Sequence, residues 1–227
     1  MKKINFLFVI LFCGVSFAQT LEYTAIELTT MNGVSFNTVS NLVDTYMKDA
    51  KFNENSGYVL QRVWQGSESN IRLLWYSPLG MSNRSDGGMT AAENTAFWRS
   101  MNDYADGNRA YSGRVLSWKQ GAENQNNMHN FSVIVSDPVN FKAAHDKIVA
   151  KLSNSAFKDR TIGLGTYDIG RPNGATHWMY LSGKDGEDHL KLYDKLEKSA
   201  EFWKYIKDRG EVIDVKDFEL KYLKIKQ

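Results

Sequence analysis

Residues 96–103, AFWRSMND, and residues 201–208, EFWKYIKD, share the order Phe-Trp-basic-x-apolar-x-Asp. Each octapeptide stands at a similar distance from a preceding strand-like stretch, which contains Tyr23 in the first half of the chain and Phe131 in the second. Similarity at a fixed spacing is typical of a repeated structural unit. The sequence therefore predicts two halves of similar architecture.

Local patterns in residues 19–120 predict the order strand, helix, two strands, helix, strand. Apolar and polar residues alternate in the predicted strands, which are 21–30, 58–65, 71–76 and 110–119. Apolar residues recur at helical spacing between 36 and 47. The pattern Thr90-Ala91-Ala92-Glu93 is a capping box, which predicts the start of the second helix.

A polar linker at residues 121–128 precedes a second unit at residues 129–227. In that unit Asp137 is placed to cap a helix whose first residue is Pro138. The predicted strands are 131–135, 161–169, 176–182 and 212–226, and a single helix is expected over 187–207. Each half thus has the order β-α-β-β-α-β, which is the ferredoxin-like unit with two helices on one face of an antiparallel sheet.

Two such units can bury their bare sheet faces against each other and form one barrel with the helices outside. This element order resembles the dimeric α/β barrel superfamily, which includes antibiotic-biosynthesis-type monooxygenases, stress-responsive barrel proteins and chlorite dismutase-like haem proteins. The resemblance spans residues 21–226 and implies an α+β fold of two tandem ferredoxin-like repeats forming one α/β barrel. Two ferredoxin-like units side by side, without a shared barrel, are the alternative.

The N-terminus has the pattern of a secretory signal peptide. Lys2 and Lys3 precede an apolar run at residues 6–12, and Ser16-Phe17-Ala18 is a small-x-small cleavage site. We expect cleavage after residue 18 and a periplasmic or extracellular product, with a lipid anchor on Cys13 as the alternative. The apolar run is too short to span a bilayer, so no stable membrane insertion is expected after cleavage.

Charge argues against a polyanionic partner. Cleavage removes two of the 28 basic residues and none of the 26 acidic ones, so the charges of the remaining chain balance. Nucleic-acid-binding domains usually carry a basic surplus, and we expect no nucleic acid partner. Cleavage also removes the only cysteine, which excludes a disulfide in the exported product.

Motifs for nucleotide binding, serine hydrolysis and zinc proteolysis do not occur in the sequence. The four histidines are never three or four residues apart, so no metal site is predicted. His129, His145 and His189 lie among polar or charged residues and are predicted to be exposed.

Two residues are candidates for catalysis, His177 and Arg62. His177 lies in a predicted strand between aromatic residues, where an imidazole can transfer a proton or ligate haem. The alternative for His177 is a hydrogen-bonded core residue. Arg62 shares a strand face with aromatic residues and needs a carboxylate, a ligand anion or solvent. Its alternative is an edge position, with its methylenes over an aromatic ring and its head in water.

Four aromatic residues are candidates for ligand binding: Trp64, Trp75, Tyr167 and Trp178. They would either fill the barrel or line a cavity for a flat or apolar molecule. A long loop at residues 78–89 has no counterpart of similar length in the second half, and it is predicted to be either a binding segment or disordered.

Three functions remain open from the sequence. The first is an exported protein that binds a small apolar or aromatic ligand or a protein partner. The second, which the resemblance implies, is a cofactor-independent monooxygenase-like or haem-handling enzyme, and the third is a structural protein with a solid core. No cofactor is predicted, and haem would require His177 or another histidine to face a cavity. Both a monomer and a homodimer are compatible with two fused units.

Overall fold

The computed structural model of the protein describes residues 20–227, so the predicted signal peptide at residues 1–18 lies outside the described part of the chain. The first half contains β1 (Leu21–Thr30), α1 (Phe36–Met47), β2 (Gly57–Gln65), β3 (Ile71–Pro78), α2 (Ala91–Asn102) and β4 (Ala105–Lys119). The second half contains β5 (Asn127–Val135), α3 (Pro138–Leu152), β6 (Ile162–Thr166), β7 (His177–Gly183), α4 (Gly186–Glu197), α5 (Ala200–Asp208) and β8 (Val212–Lys226). None of the helices in residues 20–227 combines the length and the hydropathy that a membrane span requires.

The eight strands form one closed antiparallel barrel in the order β1-β3-β2-β8-β5-β7-β6-β4. Two strand pairs join the halves, because β2 pairs with β8 and β4 pairs with β6. The predicted α+β fold is confirmed, and the alternative of two units without a shared barrel is wrong.

The helix starts follow the capping signals in the sequence. Thr90 Oγ1 accepts a hydrogen bond from Glu93 N at 3.2 Å, and the Glu93 carboxylate accepts one from Thr90 N at 2.8 Å. Asp137 caps α3 through the backbone N–H groups of Val139 and Asn140. These side chains satisfy amides that the first helical turn cannot pair internally.

The single helix expected over residues 187–207 is wrong, because the chain forms two helices there. Ser199 interrupts the run with extended backbone, and its side chain accepts a hydrogen bond from Phe202 N at 3.1 Å. Serine is a favoured N-cap residue, so it starts a new helix, α5, immediately after α4.

Aromatic side chains fill the barrel interior. Five of them are at most 8% exposed: Tyr23, Tyr111, Tyr167, Trp178 and Tyr180. Gly165 on β6 makes room for the Trp178 ring, since a Cβ at this position would lie 2.2 Å from the indole. Two polar contacts lie among these rings: the Tyr111 hydroxyl donates to Glu27 Oε1 at 3.0 Å, and Arg72 Nε donates to Gln61 Oε1 at 2.7 Å.

Helices α1 and α2 pack on the outer face of the first-half strands. The buried residues between them include Val39 and Val43 of α1, Tyr58 of β2 and Phe97 of α2. Full burial of a valine or phenylalanine side chain stabilises the folded state by roughly 1.5–3 kcal/mol. This packing also fixes the position of the segment that joins β3 to α2.

Candidate functional site

The segment of residues 79–90, here called the β3–α2 loop, is tied to the barrel by side-chain hydrogen bonds. Asn83 Nδ2 donates to the carbonyl oxygens of Gly57 at 2.9 Å and Tyr76 at 2.6 Å. Asp86 accepts from Lys51 N at 3.0 Å and forms a two-point pair with Arg84. These contacts hold the loop against the ends of β2 and β3, and whether it is a binding segment stays a prediction.

A groove of about 470 Å³ opens on the outer face of β3, β1 and β4, beside the β3–α2 loop. Thr24 pairs with Trp75 on one side and with Ser112 on the other, so the three side chains share the outer sheet face. We call this cavity the outer groove; further residues that line it are Glu22, Ser77, Leu79, Met81, Arg114, Asp168 and Ile169.

A second cavity, also of about 470 Å³, lies between the end of α1, β3, α2 and the β3–α2 loop. We call it the helix-side cavity. Five of its eleven lining residues have aromatic or sulfur-containing side chains, and polar groups enter from the loop and from α2. It is lined by Met47, Trp75, Ser82, Asn83, Arg84, Gly88, Met89, Ala91, Asn94, Phe97 and Trp98. Trp75 and Asn83 line both cavities.

Charged side chains lie at the far side of the outer groove. Arg114 of β4 makes a two-point contact with Asp168, with distances of 2.8 and 3.1 Å to the carboxylate oxygens. These hydrogen bonds hold the pKa of the Asp168 carboxyl below its usual value and raise the pKa of Arg114. Glu22 accepts a hydrogen bond from Gly80 N at 3.3 Å. The groove therefore offers both a guanidinium and carboxylates to a polar ligand.

Among the sequence-predicted ligand-binding residues, Trp75 alone lines the two cavities. Tyr167 and Trp178 lie in the barrel interior, where the Tyr167 and Ser132 hydroxyls are 2.9 Å apart. Trp64 lies on β2 and is 58% exposed. The structure therefore places these four residues at three separate locations.

The two candidate catalytic residues lie on the outer side of the sheet. His177 is buried, its ring centroid is 5.8 Å from that of Phe141 on α3, and its Nδ1 is 2.9 Å from Thr176 Oγ1. Burial lowers the pKa of His177. The Arg62 guanidinium lies 4.2 Å from the ring centroids of both Phe36 and Trp64, a cation–π geometry. The structure does not bring His177 and Arg62 together.

Haem held through His177 does not fit this arrangement. The imidazole packs against Phe141, and Thr176 lies within hydrogen-bond distance of its Nδ1. None of the four histidines, all of which lie in the described chain, lines the outer groove or the helix-side cavity. Residues 20–227 also hold no group of three or more His, Cys, Asp or Glu side chains suited to a metal ion.

The prediction that His129, His145 and His189 are exposed is wrong. His145 and His189 are less than 5% exposed, and the His129 side chain is 21% exposed. His145 shares the buried face of α3 with Phe141, Ala144 and Ile148, while its charged sequence neighbours point outward. The spacing of 141, 144, 145 and 148 is that of an apolar helix face, and this signal identifies His145 as buried. Burial lowers the pKa of His145 to about 4.

The polar residues of the outer groove were not predicted as a set from the sequence. Thr24 lies within the predicted strand 21–30, and Arg114 and Asp168 are 54 residues apart. The pairing of β4 with β6 brings the last two together. The available signal was the alternation in β1, where the polar Thr24 stands between the apolar Tyr23 and Ala25. This alternation places Thr24 on the opposite sheet face from these two buried residues.

Several solved structures share this fold. A candidate monooxygenase from Lactobacillus acidophilus aligns with a TM-score of 0.59 and 14% identity, over 91% of this chain and 95% of that chain. A candidate monooxygenase from Fusobacterium nucleatum gives 0.53 and 19%, over 92% and 94%. A haem-binding protein from Thermus thermophilus gives 0.51 and 9%, over 90% and 93%.

No protein-family model and no curated protein matches the chain significantly. At identities of 9–19%, the structural likeness shows the fold and does not carry an activity with it. The chain therefore shares with these structures the fold described above, a closed eight-stranded antiparallel barrel with helices on its outer face.

Proposed function

We propose that this protein binds a small molecule with a flat or apolar part, which lies against Trp75. The observation that carries the proposal is that Trp75 separates two cavities of about 470 Å³ each, whereas aromatic side chains fill the barrel interior. Sites for small molecules are typically concave and mostly apolar, with a few polar groups that fix orientation.

The helix-side cavity supplies the apolar contacts. Trp75 and Trp98 meet edge to face at 6.2 Å, and Phe97 meets Trp98 at 4.9 Å. Met47 and Met89 add adaptable thioether side chains. Asn94 lines the same space and provides an amide for a polar substituent. These features favour a planar ligand with at least one hydrogen-bonding group.

Two other functions have weaker support. The oxygenase alternative depends on fold likeness to candidate monooxygenases. The haem alternative lacks a histidine at either cavity. Binding requires only the walls and polar groups described above, so we adopt it as the proposed function.

We further propose that binding takes place outside the cytoplasm. The support is the N-terminal pattern of two lysines, an apolar run and the Ser16-Phe17-Ala18 cleavage site. Mass spectrometry of protein from the periplasmic and medium fractions of the native host tests this. A product starting at residue 19 is expected, and an intact Met1 in all fractions would contradict it.

The first test of ligand binding is native mass spectrometry of the protein purified from its own host, beside the denatured spectrum. A mass excess confined to the native spectrum is expected. A purified protein can lose a weak ligand, so a titration with the aromatic anion 8-anilinonaphthalene-1-sulfonate accompanies it.

A matched pair of variants on α2 makes the titration specific. Asn94→Trp fills the helix-side cavity from an exposed helix position, and we expect it to weaken probe binding at least tenfold. Ala96→Trp is the control, because this exposed residue is two positions along the same helix and does not line the cavity. Equal probe binding by the wild type and both variants would contradict the proposed site.

A further inference from the structure

Helix α4 covers an outer sheet face in the second half, whereas the corresponding connection in the first half leaves a groove. The segment between β3 and α2 is a loop, and Thr24 on the neighbouring β1 is exposed. The segment between β7 and α5 forms α4, whose Tyr193 packs against His129 and Phe131 of β5.

His189 lies in the first turn of α4, on the face that packs against the sheet. It is 4% exposed, and neither of its ring nitrogens has a hydrogen-bond partner of normal geometry. Its ring stacks on Tyr193 at 6.1 Å and meets the ring of His129 at the same distance. A neutral imidazole without a hydrogen bond is costly to bury, and a protonated one is more so.

Charged groups approach His189 from every element around it. Arg160, before β6, pairs with Asp188 of α4 at 2.5 Å and donates a hydrogen bond to Ser182 O. On β5, His129 lies 2.6 Å from the Tyr193 hydroxyl and 3.4 Å from Asp217 of β8. Glu219 of β8 is held by Gln65 and Asn127. The N-cap of α4 is Asp185.

These surroundings disfavour a charged His189. Burial is the largest cause of its lowered pKa, followed by the positive charges of His129 and Arg160; the Asn127 backbone and Glu219 act in the opposite sense. The pKa of His129 is also lowered, chiefly by burial. Below a pH of about 6.5, a conformation that hydrates these imidazoles takes up protons that the closed conformation does not.

We propose that α4 is an acid-released cover: protonation of His189, supported by that of His129, detaches the helix and exposes the outer face of β5 that carries His129 and Phe131. The open conformation gains up to about tenfold in relative population per pH unit for each histidine that titrates only when open. The covered sheet face then becomes accessible to solvent, as the outer groove of the first half already is. This inference does not depend on the proposed ligand.

Hydrogen exchange followed by mass spectrometry tests the inference on the whole chain from residue 19 to residue 227. Protection factors for residues 186–197, corrected for the pH dependence of intrinsic exchange, are compared at pH 7.5 and pH 5.0. We expect them to fall at least tenfold more than those of α2, which has no histidine against it. In His189→Gln, whose side chain stays neutral, we expect most of this pH dependence to disappear.

His145→Gln is the matched control, because it removes a buried histidine from α3 and leaves α4 unchanged. We expect this variant to keep the acid response of α4. If His189→Gln does not fold, His129→Gln provides the same test from the strand side, with a partial loss of the response. Equal protection of α4 at both pH values would overturn the proposal, as would exchange of α4 only together with the whole barrel.

Discussion

The two halves carry the same octapeptide pattern but use its tryptophan differently. In the first half, Trp98 packs edge to face on Trp75 of the sheet. In the second half, Trp203 is 58% exposed, and its indole N–H donates to Glu197 O at the end of α4. The octapeptide therefore lies in a helix in both halves, but its tryptophan has different surroundings in each.

The halves also differ in their histidine content. All four histidines lie in the second half, at positions 129, 145, 177 and 189, and the pKa of each is lowered with burial as the largest cause. The first half has no group of this kind among its described residues. Between pH 7 and pH 5, where histidine titrates, acid is therefore expected to act mainly on the second half of the barrel.

The largest expected effect comes from the barrel interior that both halves share. Gly165→Ala places a methyl group 2.2 Å from the Trp178 ring and 2.5 Å from Arg114 O, so we expect a loss of about 3 kcal/mol or more in the free energy of unfolding. Urea denaturation measures it. Gly107→Ala is the control on β4, with no atom within 4 Å of the added Cβ. Equal stability of the two variants would contradict the packed interior.

The next prediction compares the two octapeptides directly. Trp98→Ala removes a half-buried ring from the sheet interface and should cost about 2–3 kcal/mol. Trp203→Ala removes a mostly exposed ring with one hydrogen bond and should cost about 1 kcal/mol or less. Denaturation of both variants under the same conditions checks the order, and a larger cost at Trp203 would reverse the comparison.

A pH series sharpens the contrast between the halves. The pKa of His145 is about 4 in the folded protein, below its ordinary 6.5, so the unfolded chain binds a proton first as the pH falls. Stability should decrease by about 2 kcal/mol between pH 7 and pH 5 from this residue alone. In His145→Gln the stability curve should be flatter over this range, and an unchanged curve would show that His145 is not responsible.

The smallest expected effect is at the outer groove. Arg114 and Asp168 join the two halves by a two-point pair, but their side chains are 45% and 36% exposed. Solvent screens such pairs, so Arg114→Gln should cost no more than about 1 kcal/mol in 0.15 M salt. Thermal unfolding at low and high salt tests this, since the wild-type advantage should shrink as salt rises. A cost above 2 kcal/mol would assign the pair a structural role.

Much of the architecture could be predicted from local sequence signals. The cap residues Thr90 and Asp137 start their helices as expected because capping depends on a few adjacent residues. The break at Ser199 was missed because the apolar spacing continues across it. A serine that can act as an N-cap inside a long helical pattern therefore indicates a possible start of a new helix.

The site was harder to predict because it depends on which face of each strand points inward. Alternation separates His177 from Trp178 but does not say which of them enters the barrel. Gly163 and Gly165 on the neighbouring strand settle it, because they leave space beside the Trp178 ring. Strand pairing between the halves, as for Arg114 and Asp168, is likewise a long-range property that local patterns do not contain.

The closed order of strands has a consequence for cutting the chain. Residues 120–126 join β4 to β5, and cleavage there would give two fragments, each with two unpaired sheet edges. Unpaired edges invite association with other strands. Each fragment is complementary to the other through β2 with β8 and β4 with β6. The connecting peptide thus acts as a tether that keeps these complementary edges at a high effective concentration.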